Sequence, residues 1–477
     1  MEKVNTREIV YDMLDAVIRQ QRKAGDVASG ALAVYAWMEK RDRAFMSRLF
    51  RGVLEYRQQL DQVIGAFSSV RLEKMKPAVR LLLEMGAYQI LYMDHVPDSA
   101  ACNETVKLAK KRAPRGLAGF VNGVLRQIAR RKETIPVPSR ETDPAGWISY
   151  HCSLPLWLAQ MWITERGFDT ALQIGEAALK QQDICVRVRP FSQQDESGQQ
   201  TDRTSLIREL KEAGMSVEPG RIFPEDALHI RGIDTLLQVP AFLDGRLTVQ
   251  DESSMIPARI AGIGPADTVI DLCAAPGGKS AHAADLMYEA CRDQDQAQQE
   301  TDPGSYPAGR VFARDISEAK TDRIRENMKR LHLGNVEVQE ADALVMREQD
   351  RESADVVLAD LPCSGLGVLG KKPDIKLHMD PEQIRSLAAL QREMLTVAAS
   401  YVKPGGTLVY STCTVSKAEN EDNLSWFLEH FPFETDPAAR FLPSNAEYLQ
   451  KEAGYIQVLP GECGADGFFA VRLKKKR

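Results

Sequence analysis

Residues 268–280, TVIDLCAAPGGKS, join a short apolar run to a turn of small residues. Such a pattern is typical of a buried strand that leads into a helix. Similar runs follow, separated by helical patterns: VFARD (311–315), NVEVQEAD (335–342), ADVVLAD (354–360) and GTLVYSTC (406–413). This alternation predicts an α/β domain with a mostly parallel sheet over residues 246–477.

One segment interrupts this alternation. Residues 291–309, CRDQDQAQQETDPGSYPAG, are rich in Gln and Asp and show no apolar periodicity. A polar, aperiodic segment of this kind is typical of a loop. We therefore expect an exposed insertion after the first helix of the α/β domain.

The N-terminal residues 1–132 show helical patterns throughout. Leu82, Leu83, Gly86 and Ile90, for example, recur at the spacing of one helix face. The segment TIPVPSRETDPAG that follows contains three prolines and is typical of a linker. These features predict an all-α domain that, with its linker, spans residues 1–140.

Residues 141–245 mix the two kinds of pattern. SLPLWLAQMWITERG indicates a helix, DICVRVRP alternates like a strand, and TSLIRELKEAGM indicates a helix capped by its Thr or Ser. We predict a small α+β domain here, between the helical and α/β domains.

Composition and charge narrow the class of protein. The chain is 44% hydrophobic and 27% charged, which excludes wholesale disorder, and it has no apolar run long enough to span a membrane. The N-terminus has no apolar signal core, so we expect a cytoplasmic protein without a membrane partner.

The net charge of −6 is unevenly distributed. Residues 1–140 contain 25 Lys and Arg against 15 Asp and Glu, a net charge of +10, and the rest of the chain carries −16. A basic module attracts phosphates, which favours a nucleic-acid partner. A solvated helical surface without a partner is the alternative at this point.

The eight cysteines form no CxxC pair and no cluster with zinc-ligand spacing, so we expect no metal site. Two of them stand out by position. Cys363 follows the predicted strand that ends at Asp360, and Cys413 ends the next strand. Both thiols are therefore expected at one edge of the sheet.

Ligands of open α/β sheets bind beyond the carboxyl ends of the strands. The small residues after Cys273 allow a close approach of the backbone, and the next helix offers its N-terminal amides. Asp315 ends the second strand, where an acidic residue commonly accepts the hydroxyls of a ribose. Asp342 follows the third strand and is placed to meet an adenine amino group.

Two thiols beside an aspartate suit the methylation of a pyrimidine. C5 of a pyrimidine is a poor nucleophile until a thiolate adds to C6. Protonation or hydrogen bonding at N3 assists this addition, and Asp360 would serve if it were protonated or shared a proton. A second thiol or a carboxylate would assist release of the product, and Lys279 would lower a thiol pKa. These arguments leave open which cysteine attacks.

The C-terminal motifs together resemble the Sun/Fmu-type ribosomal RNA cytosine-5 methyltransferases, within the NOL1/NOP2/Sun family. They are VQDESSM (249–255), DLCAAPGGK (271–279), ARDIS (313–317), ADLPCSGLGVLGKKPDIK (359–376), YSTCTVSKAEN (410–420) and DGFFAVRL (466–473). The N-terminal part resembles the NusB-like RNA-binding domain, through DRAFMSRLFRGVL (42–54), GAYQILYMDHVPDSAACNETVKLAK (86–110) and FVNGVLR (120–126).

This resemblance implies a multi-domain protein with an all-α NusB-like domain, a small α+β domain and a Rossmann-like methyltransferase domain. It implies S-adenosyl-L-methionine as cofactor and a single loop cytosine of 16S rRNA as target. Cys413 would be the nucleophile and Cys363 would help to release the product, with Asp360 in the same catalytic group. The cofactor would be bound by Cys273, Ala274, Ala275, Pro276, Gly277, Gly278, Lys279, Asp315, Asp342 and Asp360.

Phosphate contacts are expected from the basic clusters of the N-terminal domain and from the loop after Cys363. The residues are Lys107, Lys110, Lys111, Arg112, Arg126, Arg130, Arg131, Lys371 and Lys372. Lys376 adds to the basic charge of that loop, whereas Gly370 and Leu377 depart from the family pattern. We expect the protein to act as a monomer.

Two alternative functions follow from the same sequence. The first is methylation of cytosine C5 in tRNA or 23S rRNA by the same fold. The second is a NusB-like RNA-binding protein in transcription or ribosome assembly, with an inactive enzyme domain. Intact Cys413, Cys363 and Asp360 argue against inactivity.

Overall fold

A computed structural model describes residues 5–180, 183–189, 202–233, 236, 239–298 and 308–477. The chain divides into two compact units. The helical unit comprises Met1–Lys180 and Leu369–Met379, and the sheet unit comprises Gln181–Val368 and Asp380–Arg477. The domain boundaries near residues 140 and 245 stay predictions.

The helical unit contains nine helices in the described residues up to Lys180. They are α1 (Thr6–Ile18), α2 (Ala24–Val34), α3 (Lys40–Phe67), α4 (Pro77–Tyr92), α5 (Asp98–Arg112), α6 (Ala118–Arg131), α7 (Pro144–His151), α8 (Leu156–Arg166) and α9 (Phe168–Ala177). The predicted apolar face of α4 is buried. A Cβ atom on Gly86 would lie 2.6 Å from Leu125 Cδ1, so this glycine lets α4 and α6 pack closely.

A short segment from the C-terminal half of the chain completes the helical unit. Residues Leu369–Met379 belong to it, including helix α15 (Ile375–His378). Lys376 is buried, and its Nζ donates to the carbonyl oxygens of Glu55 and Ser153 at 2.7 and 3.0 Å. Leu377 packs against the apolar core of the unit. Lys376 therefore keeps the loop basic from a buried position, where its ammonium group donates to two carbonyl oxygens and is not available at the surface.

A small antiparallel sheet forms the first part of the sheet unit. Its strands β1 (Ile184–Val188), β2 (Ser216–Pro219), β3 (Ala227–Arg231) and β4 (Leu247–Val249) lie in the order β2-β3-β1-β4. Helices α10 (Arg203–Glu212) and α11 (Pro240–Leu243) accompany it. The predicted Thr or Ser cap of α10 was wrong: Asp202 is the N-cap, and its side chain accepts from the Thr204 amide.

Buried charges join this small sheet to the rest of the sheet unit. Asp285, on helix α13 (Gly278–Gln298), accepts hydrogen bonds from Arg189 and forms ion pairs with Arg187 and Arg189 at 2.7 Å. Burial raises the pKa of Asp285, but the two guanidinium groups outweigh it and the pKa is lowered overall. The carboxylate therefore stays ionised and holds β1 against α13.

An eight-stranded sheet forms the larger part of the sheet unit. It comprises β5 (Thr268–Asp271), β6 (Arg310–Asp315), β7 (Val336–Glu340), β8 (Ala354–Asp360), β9 (Val402–Thr412), β10 (Phe433–Thr435), β11 (Tyr455–Val458) and β12 (Phe468–Lys475). Strands β9, β8, β5, β6 and β7 lie side by side in parallel, which confirms the five predicted strands. Strands β10, β11 and β12 extend it antiparallel, so the sheet is mixed.

Apolar cores lie on both faces of this sheet. The remaining helices of the unit are α12 (Glu252–Ala261), α13 (Gly278–Gln298), α14 (Glu318–Arg330), α16 (Pro381–Tyr401) and α17 (Glu421–His430). The α/β architecture predicted from the alternation is therefore confirmed.

The polar segment after the first helix differs from the prediction. Helix α13 continues to Gln298, so residues 291–298 are helical and not part of a loop. Gln and Ala are good helix formers even without an apolar face, and this explains the difference. Residues 299–307 of the predicted insertion lie outside the described residues. No helix in the described part of the chain has the length and hydropathy needed to cross a membrane.

Candidate functional site

The order of the parallel strands places the candidate site. The chain runs from β5 outward through β6 to β7, then returns to the other side of β5 with β8 and continues to β9. The direction of winding reverses between β5 and β8, which is where open α/β sheets bind ligands. Cys273 follows β5, Cys363 follows β8 and Cys413 follows β9, so the predicted site residues lie around this point.

The two predicted thiols are in contact. Cys363 Sγ lies 3.3 Å from Cys413 Sγ, and both residues are partly buried. The hydrogen bond with Cys413, together with burial, raises the pKa of Cys363 well above its ordinary value. Cys363 therefore remains a protonated thiol at neutral pH. Its S–H can donate to the sulfur of Cys413, which suits Cys413 as the group that carries negative charge.

Asp360 and Lys279 form an ion pair beside the thiols. Lys279 Nζ lies 2.8 Å from Asp360 Oδ2, and Ser411 Oγ donates to Asp360 Oδ1 at 2.8 Å. Burial lowers the pKa of Lys279, but Asp360, with smaller contributions that include Cys413, raises it overall. Lys279 is therefore an ammonium group close to Cys413. Lys279 and Ser411 thus contact the two different oxygens of Asp360.

The small-residue turn that follows β5 is closely packed on one side. Gly277 has φ +104°, which favours glycine, and a Cβ atom there would lie 2.9 Å from Met328 Cε. At Gly278 a Cβ atom would meet nothing within 4 Å among the described residues. The turn thus presents open space at the N-terminus of α13, where backbone amides favour an anionic or polar ligand.

Asp315 fixes this turn from the neighbouring strand. Its Oδ2 accepts from the Ala275 amide at 3.0 Å, and its Oδ1 accepts from the Ile316 amide and from Lys320 Nζ, both at 2.8 Å. The carboxylate is nearly buried. It therefore lies within one hydrogen bond of the predicted cofactor loop.

Two further aspartates follow strands of the parallel sheet: Asp271 ends β5, directly before the turn, and Asp342 follows β7. Asp271 is fully buried, and burial raises its pKa to about 7. Ser280 Oγ donates to its Oδ2 at 2.6 Å, but its Oδ1 has no hydrogen-bond partner among the described residues. Asp342, after β7, accepts from the Leu344 amide at 2.9 Å. A buried carboxyl oxygen without a donor and several acidic groups around an open turn fit a cationic cofactor.

Sequence reasoning did not single out the residues beneath the thiols. Glu419 is fully buried and accepts from the amide and hydroxyl groups of Ser364, the residue after Cys363. Ser364 Oγ also lies 2.7 Å from Oγ1 of Thr414, the residue after Cys413. The signal was present, since Glu419 belongs to the YSTCTVSKAEN motif, but a carboxylate in a loop gives no indication of its partner.

The predicted phosphate-binding residues of the N-terminal domain are all exposed on α5 and α6 or directly beside them. Several are already neutralised: Lys107 pairs with Glu104, Lys111 with Glu8, and Arg112 with Glu8 and Asp12. No ion pair within the described residues involves Lys110, Arg126 or Arg130. Lys371 and Lys372 are exposed in the segment that joins the helical unit.

Among the residues that the structure describes, no group of three or more His, Cys, Asp and Glu side chains could hold a metal ion.

Both halves of the chain match known families. Residues 305–474 match the family model for the 16S rRNA methyltransferase RsmB/F, and residues 4–130 match the NusB family. The chain is 33% identical, over 479 residues and 100% of both chains, to the probable ribosomal RNA small subunit methyltransferase B of Bacillus subtilis (strain 168). It is 30% identical, over 476 residues, to ribosomal RNA small subunit methyltransferase B of Klebsiella pneumoniae (strain 342), covering 100% of this chain and 99% of that one.

One solved structure has a similar fold over nearly the whole chain. The crystal structure of PH0851 superposes with a TM-score of 0.78 at 25% identity and covers 99% of each chain.

Proposed function

Because the chain belongs to the RsmB/F family of 16S rRNA methyltransferases, we propose that it methylates C5 of one cytosine in 16S rRNA through a covalent cysteine adduct. The observation that carries this proposal is the 3.3 Å contact between the sulfur atoms of Cys363 and Cys413. Two thiols in contact beside an ion-paired aspartate suit a reaction that must first add a nucleophile to a base and then expel it.

S-adenosyl-L-methionine, the cofactor we assign to the turn after β5, supplies the methyl group as a sulfonium. We assign Asp315 to its ribose hydroxyls, Asp342 to its adenine amino group and the unpartnered oxygen of Asp271 to its positive charge. The small residues 273–278 let the backbone approach it closely.

Cys413 is the nucleophile of this proposal. Its Sγ bonds to C6 of the cytosine, and the electron pair of the C5–C6 double bond moves to C5. C5 then takes the methyl group while the methyl–sulfur bond breaks, and the electron pair of that bond stays on the sulfur. Lys279 favours the thiolate form of Cys413, because a cation beside a thiol stabilises its deprotonated form. A proton taken up from solvent is shared between Asp360 and N3 of the base, and it withdraws electrons from C6.

Release of the methylated base reverses the addition of Cys413 to C6. A base removes the C5 proton, the C5–C6 double bond re-forms, and the C6–Sγ bond breaks so that its electron pair returns to Cys413. We assign to Cys363 the role of protonating or hydrogen bonding the departing sulfur, because its raised pKa keeps its S–H proton in place. Loss of this thiol would therefore slow release more than addition.

The helical unit is assigned to RNA binding. Its exposed basic residues on α5 and α6 offer phosphate contacts, which favour RNA without selecting its sequence. A base must leave its stack to reach the thiols, so we expect the target in a loop of free or partly assembled 16S rRNA.

Methyl transfer to purified RNAs tests this proposal. The protein is incubated with radiolabelled S-adenosyl-L-methionine and with 16S rRNA, 23S rRNA or tRNA, and the product is mapped by bisulfite sequencing. We expect label at one cytosine of 16S rRNA. Label only on tRNA or 23S rRNA would contradict the 16S assignment, and label on none of them would favour an RNA-binding protein without activity.

A further inference from the structure

The residues directly after the two thiols are joined to each other. Ser364 follows Cys363 and Thr414 follows Cys413, and their hydroxyl oxygens lie 2.7 Å apart. Both side chains are buried, with 2% and 0% of their surface exposed. The two loops that carry the thiols therefore touch at two adjacent positions, once through sulfur and once through oxygen.

Glu419 sets the direction of this hydrogen bond. Its carboxylate accepts from Ser364 Oγ at 2.5 Å and from the Ser364 amide at 2.8 Å. Because Ser364 has one hydroxyl proton and donates it to Glu419, its oxygen must accept from Thr414. The result is a chain of donors from Thr414 through Ser364 to a buried carboxylate.

The same carboxylate is anchored from the helix behind it. Gln391, on α16, donates from its Nε2 to Glu419 Oε1 at 3.1 Å and to the Pro362 carbonyl at 2.9 Å. The Tyr410 hydroxyl group donates to the Glu419 carbonyl and thus fixes its backbone to β9. The position of Glu419 is therefore determined by the sheet and α16 as well as by Ser364.

Asn420, the residue after Glu419, holds the loop that carries Cys413. Its Nδ2 donates to the Thr414 carbonyl at 3.0 Å, and its Oδ1 accepts from Thr412 Oγ1 at 2.6 Å. Gly367 closes the other side, because its amide donates to the Cys413 carbonyl at 3.0 Å. Glu419 thus contacts the residue after Cys363, and Asn420 contacts the residues on both sides of Cys413.

We propose that Glu419 is a positioning residue that, through Ser364, holds the loops of Cys363 and Cys413 together and so keeps the two sulfur atoms in contact. Its carboxylate accepts from Ser364 and Gln391, and its charge adds to the raised pKa of Cys363 after the hydrogen bond with Cys413 and burial. A neutral amide cannot replace it, since a glutamine offers one acceptor oxygen and an NH₂ group to two donors of the same serine.

The rate of disulfide formation between the two thiols measures this contact directly. Diamide joins the two sulfur atoms, and its azo group is reduced to a hydrazine by the two electrons and two protons that the thiols lose. The cross-linked peptides are quantified by mass spectrometry in the full-length protein. This measurement needs no RNA and does not depend on the proposed function.

We expect Glu419→Gln to slow the cross-link at least fivefold. Glu252→Gln is the matched control, because Glu252 is equally buried and accepts hydrogen bonds from His229 and three backbone amides away from the thiols. It should cross-link at the wild-type rate. If Glu419→Gln does not fold, Ser364→Ala tests the proposal instead. It removes only the hydroxyl group that links Glu419 to Thr414, and it should slow the cross-link at least twofold. An unchanged or faster rate in the folded variant overturns the proposal.

The consequence for catalysis rests on the proposed function. Glu419→Gln should accumulate a covalent RNA adduct, as we also expect of Cys363→Ala, with an affinity for S-adenosyl-L-methionine within twofold of wild type. The double variant Cys363→Ala/Glu419→Gln should accumulate no more adduct than Cys363→Ala alone, because both changes affect one step. If the double variant accumulates as much adduct as the two single variants together, Glu419 does not act through Cys363. If no variant forms an adduct while the cross-link still slows, the proposed function fails and the positioning role stands.

Discussion

The ammonium group of Lys279 lies 2.8 Å from the carboxylate of Asp360, at the point where the winding of the parallel sheet reverses. Lys279 comes from the start of α13 and Asp360 from the end of β8. The pair therefore joins the turn after β5 to the strand end that leads to Cys363. It also places a cation close to Cys413, which links this ion pair to the nucleophile of the proposed reaction.

Replacing Lys279 by Met should reduce single-turnover methyl transfer at least tenfold at neutral pH. Without the ammonium group, the thiolate of Cys413 loses a stabilising charge and forms only at higher pH. The pH profile of the rate should therefore shift to higher pH. Lys279→Arg, which keeps the charge, should recover part of the rate. A uniform loss with an unchanged pH profile would indicate that Lys279 only supports the structure.

Asp315→Asn should weaken the binding of S-adenosyl-L-methionine at least tenfold by calorimetry. The substitution removes a charge that contacts the turn after β5 and that we assign to the ribose. RNA affinity should stay within twofold. Asp322→Asn, on the exposed face of α14, is the control and should bind the cofactor normally. Equal losses in both variants would show that general surface charge, and not Asp315, determines cofactor affinity.

Loss of a basic side chain should weaken RNA binding more when that side chain does not already pair with a carboxylate. In one triple variant, three basic residues that form no ion pair within the described part of the chain are changed to Gln. The slope of log K for RNA binding against the logarithm of the salt concentration should fall by about 2, because each lost phosphate contact to single-stranded RNA contributes about 0.7. These residues are Lys110, Arg126 and Arg130. A matched triple variant changes Lys107, Lys111 and Arg112, which already pair with carboxylates. It should change the slope less. If wild type and both variants have equal slopes, the basic surface is exposed to solvent and does not contact RNA phosphates.

Lys376 should make the stability of the helical unit depend on pH. Burial lowers its pKa from 10.5 to about 8. The folded-state pKa lies below the unfolded one, so folding penalises the charged form by at most about 3 kcal/mol. This penalty is complete below about pH 8 and disappears as the pH rises toward 10.5.

The comparison with Lys376→Met isolates this effect. The Tm of wild type, relative to the variant, should rise between pH 8 and 10.5, because all other titrating groups are shared. Differential scanning fluorimetry at constant ionic strength measures the difference. A difference that is flat across this range would contradict the account of Lys376 as a buried ammonium group.

The sequence predicted those features that depend on local pattern. The strand ends at Asp271, Asp315 and Asp360 follow from apolar runs and small-residue turns, because these signals lie within a few residues of one another. Since parallel strands end at one edge of a sheet, these patterns were sufficient to predict that Cys363 and Cys413 lie close together.

Features that depend on distant partners were missed. Lys376 looks like a surface charge in the sequence, and only the carbonyl oxygens of Glu55 and Ser153, more than 200 residues away, explain its burial. Glu419 was missed for the same reason, because nothing near it in the chain identifies Ser364 as its partner. The helical start of the polar segment, residues 291–298 at the end of α13, was missed because Gln and Ala form a helix there without an apolar periodicity in the sequence.

The separate roles of Cys413 and Cys363 are the central claim, and one gel tests them. Each thiol is replaced by Ala, and the variants are incubated with 16S rRNA and S-adenosyl-L-methionine, then separated under denaturing conditions. The account predicts that Cys363→Ala forms a slowly migrating covalent protein–RNA adduct, whereas Cys413→Ala forms none and transfers no methyl group. An adduct with Cys413→Ala, and none with Cys363→Ala, would contradict it.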